Sequence, residues 1–431
     1  MRRLRHVAGL AAITALALAG CGGGGDSKAD GPQTITLWHN SADPPALLQL
    51  YKDYEKQSGN TIELVKIPSA GFEDTTLTKW ASGARPDVLE YHPTVTNLLA
   101  LNPKATLRDL SDEAWVGKSG GLYETAATVD GKTYGAILGF PQIFGVFYNK
   151  QALKKAGVAV PTSFEQLQAA CGRIKAAAPG VTPIAESGGS IWPPQILPSI
   201  YMGDANEGNR YGTALRTNKA KLDDAGSPFV AAMSAYAGLK DAGCFNKDLA
   251  TATVERSVTQ LAKGKAAMTA LHSDMLPALL AAVGGDPAKL DATIGFFPLA
   301  AKTPAVTYIP SPIGSYYLPK TGNSGREQAA LDFLRYATGK GYGRYVAAAK
   351  SFPVIEGTPD PKGVTALQQS FKTAYDKGPS NIAYAADVPG VGGVAKLMAK
   401  LMIGEITPKQ IGEQTQKQVA QAAKAAKLPG W

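Results

Sequence analysis

The sequence predicts an α/β protein of two domains, built from open, mostly parallel sheets flanked by helices. Three observations predict it. The chain has 431 residues, more than one ordinary core accommodates. Residues 34–89 alternate strand-like and helix-like patterns, which implies parallel pairing through helical crossovers. Hydrophobic residues make up 45%, with 47 Gly and 29 Pro, a composition that suits a loop-rich globular α/β chain.

The N-terminus reads as an export segment. Arg2, Arg3 and Arg5 form a basic start, and residues 7–19 are apolar but too short to span a bilayer. Leu18-Ala19-Gly20-Cys21 has the form of a lipobox, in which cleavage precedes an acylated cysteine. Residues 1–20 are therefore expected to be a signal peptide. Residues 21–32, with Gly22 to Gly25 in a row, are expected to be the lipidated Cys21 and a flexible tether. The two remaining cysteines, Cys171 and Cys244, are permitted to pair in an exported protein. Two separate buried thiols are the alternative.

Residues 34–38 form a β-prone strand. Leu47, Leu50, Tyr51 and Tyr54 then recur on one helical face, and Gly59 ends that helix. Residues 61–67 are a second strand, 71–84 a helix and 86–89 a third strand. The aliphatic and aromatic stretch 134–148, punctuated by Gly135, Gly139, Pro141 and Gly145, reads as buried extended chain with bends. It feeds a helix at 150–156 stopped by Gly157. Thr162 and Glu165 have capping-box spacing for the next, at 164–178. Residues 187–198 are a Gly/Pro-broken loop around Trp192. Helices follow at 229–242 and 327–336, residues 264–271 are a helix end running into a strand at 268–271, and strands lie at 294–299 and within 308–318. Thr407-Pro408 opens the last helix.

Several function classes find no support. The formal charge of +9 is mild, three of its positive charges lie in the export segment, and no dense basic run suggests nucleic acid. Four histidines show no metal-ligand spacing. The Ser187-Gly-Gly-Ser run lacks the nucleophile-elbow pattern. Asp223-Asp224 is a local pair without acid/base geometry. No catalytic residue, metal or cofactor is expected.

Several blocks resemble the extracellular solute-binding proteins of ABC importers, in the group that includes sugar binders. They run from the lipobox and residues 35–39 through Ser82-Gly83-Ala84-Arg85-Pro86-Asp87-Val88, Asp130-Gly131-Lys132, Tyr148-Asn149-Lys150 and residues 156–167. They continue through Gly264-Lys265-Ala266-Ala267-Met268 and residues 320–337 to Pro353. The resemblance implies a two-lobed periplasmic-binding-protein-like fold with several hinge crossings, near residues 140–148, 299 and 337–340. The first lobe would comprise 33–142 with 300–338, the second 143–299 with 339–431. It also implies a monomer, anchored by lipid to the outer face of the cell membrane, that passes a small solute, most simply a sugar, to permease subunits. A peptide, polyamine or polyol phosphate on the same scaffold is an alternative, and a secreted carbohydrate-active enzyme another.

Ligand residues are expected at strand ends, because open parallel sheets bind ligands there. Trp38, His39 and Asn40 end the first strand, with core packing the alternative for Trp38. Glu90 and Tyr91 follow the third. Trp192 in its rigid loop offers a stacking face. The resemblance puts ligand-facing residues at His272 and Asp274, after the strand at 268–271, and helix capping is the alternative for Asp274. Gly314 and Tyr316 lie in a return strand, where a glycine admits close backbone approach. Phe140 and Tyr148 are expected in the core or hinge.

Overall fold

A computed structural model describes residues 31–431 apart from Ala70; the export segment and Cys21 lie outside the described residues. The first sheet is built from β1 (Thr34–Asn40), β2 (Thr61–Ile67), β3 (Val88–Glu90) and β6 (Gly135–Ile137), with a small hairpin of β4 (Thr128–Val129) and β5 (Lys132–Thr133) beside it. The second contains β7 (Gln142–Asn149), β8 (Thr182–Ile184), β9 (Ala266–His272), β10 (Ile294–Phe297), β11 (Val306–Ile309) and β13 (Ser380–Ile382). β12 (Ser315–Tyr317) returns to the first sheet.

The βαβ units pair as the patterning predicts, β1 parallel to β2 and β3. Strands that arrive from the other sheet enter antiparallel: β12 against β3 and β6, and β7 against β9, β10 and β11. Both sheets are therefore mixed. The chain leaves the first sheet after Ile137 and enters the second at Gln142; it returns between Ile309 and Ser315. That return, expected near Leu299, falls later because β11 still pairs with β7 through Thr307, Tyr308 and Ile309.

Both faces of the first sheet are covered. Ile35 and Leu37 meet Leu47, Tyr51 and Tyr54 of the helix Pro45–Ser58 and Phe333 of the helix Ser324–Thr338. Trp38, Leu89 and Tyr317 meet Phe72 and Trp80 of the helix Phe72–Ala81. In the second sheet Phe144 and Val146 face Phe164 and Phe229, while Phe147 faces Phe296 and Phe371. The Phe147 side joins the Tyr51 side of the first sheet in one continuous apolar cluster. Cys171 and Cys244 form a disulfide that ties the helix Phe164–Ala177 to the end of Pro228–Asp241.

Two local expectations shift. Ser163, not Thr162, caps the helix Phe164–Ala177; its hydroxyl accepts from Gln166 N at 3.3 Å, and the Gln166 side chain accepts from Thr162 N at 2.9 Å. Gly145 sits inside β7, not at the crossing. An added Cβ there would meet Phe297 O at 2.8 Å, so the glycine admits β10. Gly139 does lie in the crossing, where a Cβ would meet Ile313 O of the return segment at 2.9 Å.

One buried carboxyl links these parts. Glu90, fully buried at the end of β3, accepts from Asn40 N at 2.8 Å and Gly314 N at 2.7 Å. Burial, followed by the facing carboxylate of Asp43, pushes its pKa well above the usual range, against the pull of the two N–H donors. Asp43 Oδ2 is 3.1 Å from His39 Nδ1 and accepts from Tyr51 OH at 3.2 Å, while its Oδ1 is buried without a partner. A raised folded-state pKa stabilises the fold fully below the unfolded value, about 4.3 for Glu, and that contribution is lost as pH rises through the folded value. Asp43→Asn removes the facing charge and places an N–H donor beside Glu90. The melting temperature of the wild type is expected to fall as pH rises above the unfolded Glu value of about 4.3, and that of the variant to fall less. Parallel melting profiles would show that the pair is not coupled.

Candidate functional site: the cleft between the sheets

The crossing segments form the floor of a cleft. Where the chain leaves the first sheet it is pinned by tyrosine hydroxyls: Tyr342 OH donates to Leu138 O at 3.0 Å, and Tyr123 OH accepts from Ile137 N at 2.6 Å. Because β7 runs antiparallel to β9, with Phe144 opposite His272, the start of β7 lies beside the C-terminal end of β9. β8 runs parallel to β9, so its following loop opens on the same edge. The cleft therefore gathers loops from the ends of β1, β8 and β9 around two crossings.

A cavity of about 420 Å³ lies here, within the range typical of small-molecule sites. Ala42 and Pro44, after β1, form one wall; Ser273 and Asp274, after β9, form another; Gly139, Phe140, Ser311 and Ile313 supply the floor. Tyr345, Phe352 and Phe371 add aromatic surface, and Phe140 packs edge-on to Phe352 with centroids 5.5 Å apart. Asp274 is exposed, and its Oδ2 accepts from Gln142 Nε2 at 2.7 Å. Ser273 Oγ accepts from Ile143 N at 3.0 Å, holding the end of β9 against the crossing. Lys350 and Ser351 complete the polar lining. Aromatic faces beside a carboxylate and hydroxyls suit a neutral polar ligand with apolar C–H faces.

The structure separates the expected site residues into three groups. Asp274 lines the cavity, and it does not cap the following helix. His272 and Trp192 stand beside it, their rings 4.7 Å apart. His272 is half-buried, and its Nδ1 is enclosed with no hydrogen-bond partner. Burial lowers its pKa, opposed by the charge of Asp274. Trp192 is half-buried and packs against the apolar clusters of both sheets, so its indole is partly a core group.

The second group ties the backbone together. His39 is engaged with Asp43, and Glu90 holds Asn40 and Gly314 by their N–H groups. Asn40 Oδ1 accepts from Ala42 N at 2.9 Å and from Ser69 Oγ at 2.6 Å, shaping the loop beside the cavity. Gly314 has φ +75°, which the glycine there permits.

The third group is interior. Trp38 packs with Ile67, Phe72 and Leu89 beneath Lys79, Tyr91 packs on Phe72, and Tyr316 donates or accepts at Tyr51 OH at 2.8 Å. Their side chains are buried because helices cover both faces of this sheet: Trp38 and Tyr91 lie on the Phe72 side, Tyr316 on the Tyr51 side.

Sequence reasoning missed Gln142, Ser311, Tyr345 and residues 350–352. None follows a parallel strand end. Gln142 could have been found from its position at the first crossing. His92 was also missed; its Nε2 lies 2.7 Å from Pro310 O and joins the loop after β3 to the return crossing. A second titratable group lies at the end of β8: Glu186, buried and pushed up to about 7 by that burial, accepts from Ser187 N at 2.7 Å and Tyr236 OH at 3.1 Å. The loop beyond it contains Ile191 at φ +69°, a conformation that costs a β-branched residue about 1–3 kcal/mol. Among the described residues no cluster of His, Cys, Asp and Glu is arranged to hold a metal ion, and no helix is long and apolar enough to cross a membrane.

Comparison with known proteins agrees with this architecture. The chitin oligosaccharide binding protein superposes with a TM-score of 0.76 at 20% identity, over 91% of this chain and 99% of that one. The GacH receptor of Streptomyces glaucescens, solved unliganded and with acarbose, gives 0.70 at 20% identity, over 91% and 99%. The multiple sugar-binding protein of Streptococcus mutans is 25% identical over 279 residues, which span 63% of this chain and 64% of that protein. The family profile described as bacterial extracellular solute-binding protein matches residues 38–344. With its two sheets, its crossings and that match, the chain belongs to the bacterial extracellular solute-binding protein family.

Proposed function

We propose that the protein is a lipid-anchored receptor that captures a small carbohydrate between its two lobes and delivers it to an ABC permease. The observation that carries this reading is the cavity of about 420 Å³ at the crossings, whose lining includes Phe140 and Phe352 together with Asp274 and Ser273. Aromatic faces take the C–H faces of a pyranose, and the carboxylate and hydroxyls take its hydroxyl groups. Relatives named for sugars or for an oligosaccharide support the substrate class. The lipobox at Cys21 supports the anchor.

Capture works by closure. Each sheet with its helices is one lobe, and the segments 138–141 and 310–314 join them. A ligand touching both lobes favours the closed arrangement by the free energy of the contacts made only there. Asp274 and Trp192 come from the second lobe; Ala42 and Pro44, positioned by Asn40 and Asp43, come from the first. The anchor holds the receptor near the membrane, and the closed surface is what the permease recognises.

A thermal-shift screen of the mature protein against mono- and oligosaccharides, polyols, peptides and polyamines tests the substrate class. A binding sugar at a hundred times its Kd adds about 2.7 kcal/mol of stability and raises the melting temperature. A shift with a peptide or polyamine and none with any sugar would overturn the assignment. Asp274→Ala tests the wall. Its side chain is exposed, so the free protein should melt within about 0.5 kcal/mol of wild type, while sugar affinity falls about tenfold or more through the lost charge-assisted hydrogen bond. Unchanged affinity would place the ligand elsewhere.

A further inference from the structure

The loop after β8 contains a residue that local physics disfavours. Trp192 N donates to Ser190 O at 2.8 Å, closing a three-residue γ-turn around Ile191, which has φ +69° and ψ −54°. This hand of γ-turn is rare and strained, and a β-branched side chain is the least suited to it. Glycine would relieve the strain. Glycines do stand nearby, at 188 and 189, but for another reason: an added Cβ would meet Leu249 O at 2.7 Å or Thr251 O at 2.5 Å. Those two admit the neighbouring backbone, and the strained position itself carries isoleucine.

Packing does not explain that choice. The Ile191 side chain is 61% exposed, more than Leu64, Val160 or Ile403, the other large apolar side chains that face solvent among the described residues. The loop beneath it is firmly held. Gly188 N donates to Leu249 O at 2.7 Å, Gly189 N to Ala252 O at 2.9 Å, and Val254 N to Ser190 Oγ at 2.9 Å. On its other side Trp192 rests on His272 at the cleft end of β9. An exposed aliphatic group thus stands on a rigid support, next in sequence to the Trp192 ring that rests on His272, just before the cavity-lining Ser273 and Asp274.

We propose that Ile191 is a ligand-contacting residue: closure lays its side chain against an apolar face of the bound carbohydrate, and the strained turn aims it there. The contact rests on the carbohydrate reading of the cleft and sharpens it. Isoleucine offers apolar burial and dispersion but no hydrogen bond. The ligand group that meets it is a C–H-rich sugar face, not a charged or heavily hydroxylated edge.

The test compares the wild-type mature protein with Ile191→Gly and Ile191→Val, by calorimetric titration with raffinose, acarbose and chitotriose and by melting of the free proteins. Ile191→Gly is expected to melt at or above the wild-type temperature, since strain is relieved, yet to bind the recognised sugar about tenfold more weakly. Ile191→Val keeps the branched apolar surface and should stay within about threefold of wild type. Unchanged affinity in Ile191→Gly would overturn the contact. A destabilisation of that variant beyond the roughly 1 kcal/mol that glycine's backbone entropy costs would also overturn it, because Ile191 would then be a packing residue. If the wild type itself binds none of the three sugars, nor any sugar in the thermal-shift screen, the carbohydrate reading fails first and takes the contact with it.

Discussion

The Glu90 carboxyl joins three segments that are distant in sequence. It ends β3, holds the last residue of β1 through Asn40 N, and holds the return from the second sheet through Gly314 N. Two N–H groups at a sheet edge beside a cleft would otherwise be buried without partners, a loss of about 1–3 kcal/mol each. Gly314 can accept the φ of +75° that brings its N–H to the carboxyl, and Gly139 can approach Ile313 O because neither carries a Cβ. The position of the floor therefore depends on a buried acid and two glycines. The acid faces another acid, Asp43, whose loop forms a wall of the cavity. Burial and like charge favour a proton on Glu90, which ties the shape of the cleft to the ionisation of a group that no ligand needs to touch.

The two sides of the crossings differ. On one side an apolar cluster runs without interruption from Tyr51 and Tyr123 through Tyr308 to Phe371, and Thr125 Oγ1 reaches Tyr308 OH at 3.3 Å. On the other the surfaces separate around the cavity. The proposed closure keeps the packed side together and changes the open side, where the proposed ligand contacts lie. The disulfide between Cys171 and Cys244 stiffens the second lobe away from the cleft and leaves the crossings unconstrained.

The repeated units were legible because their signals are local. Leu47, Leu50, Tyr51 and Tyr54 mark a helix face by spacing alone, and Gly59 ends it at φ +77°. The crossing at Gly139 and Pro141 was legible as a break in an extended stretch. The site was less so. Strand ends point to a cleft, but which side chain enters it depends on pleat and register. Trp38 and His39 point to opposite faces of β1, but both faces are covered, and Trp38, His39, Tyr91 and Tyr316 all lie inside. Asp274 and Trp192 follow strands whose edge is set by pairing with β7, which no local pattern reveals. Tyr345 lies in the helix Tyr342–Ala349 and residues 350–352 follow it, and only tertiary packing brings them to the cavity. Ile191 left no trace at all: a strained turn with isoleucine at its centre violates the turn chemistry on which sequence reading rests.

The central claim is that ligand binds between two lobes and draws them together. Small-angle X-ray scattering of the mature protein, with and without a saturating sugar identified by thermal shift, tests it most directly. The account predicts a smaller radius of gyration in the bound state, abolished by Asp274→Ala at the same sugar concentration if that concentration no longer saturates the variant. A sugar that binds tightly while the scattering profile stays unchanged would contradict it.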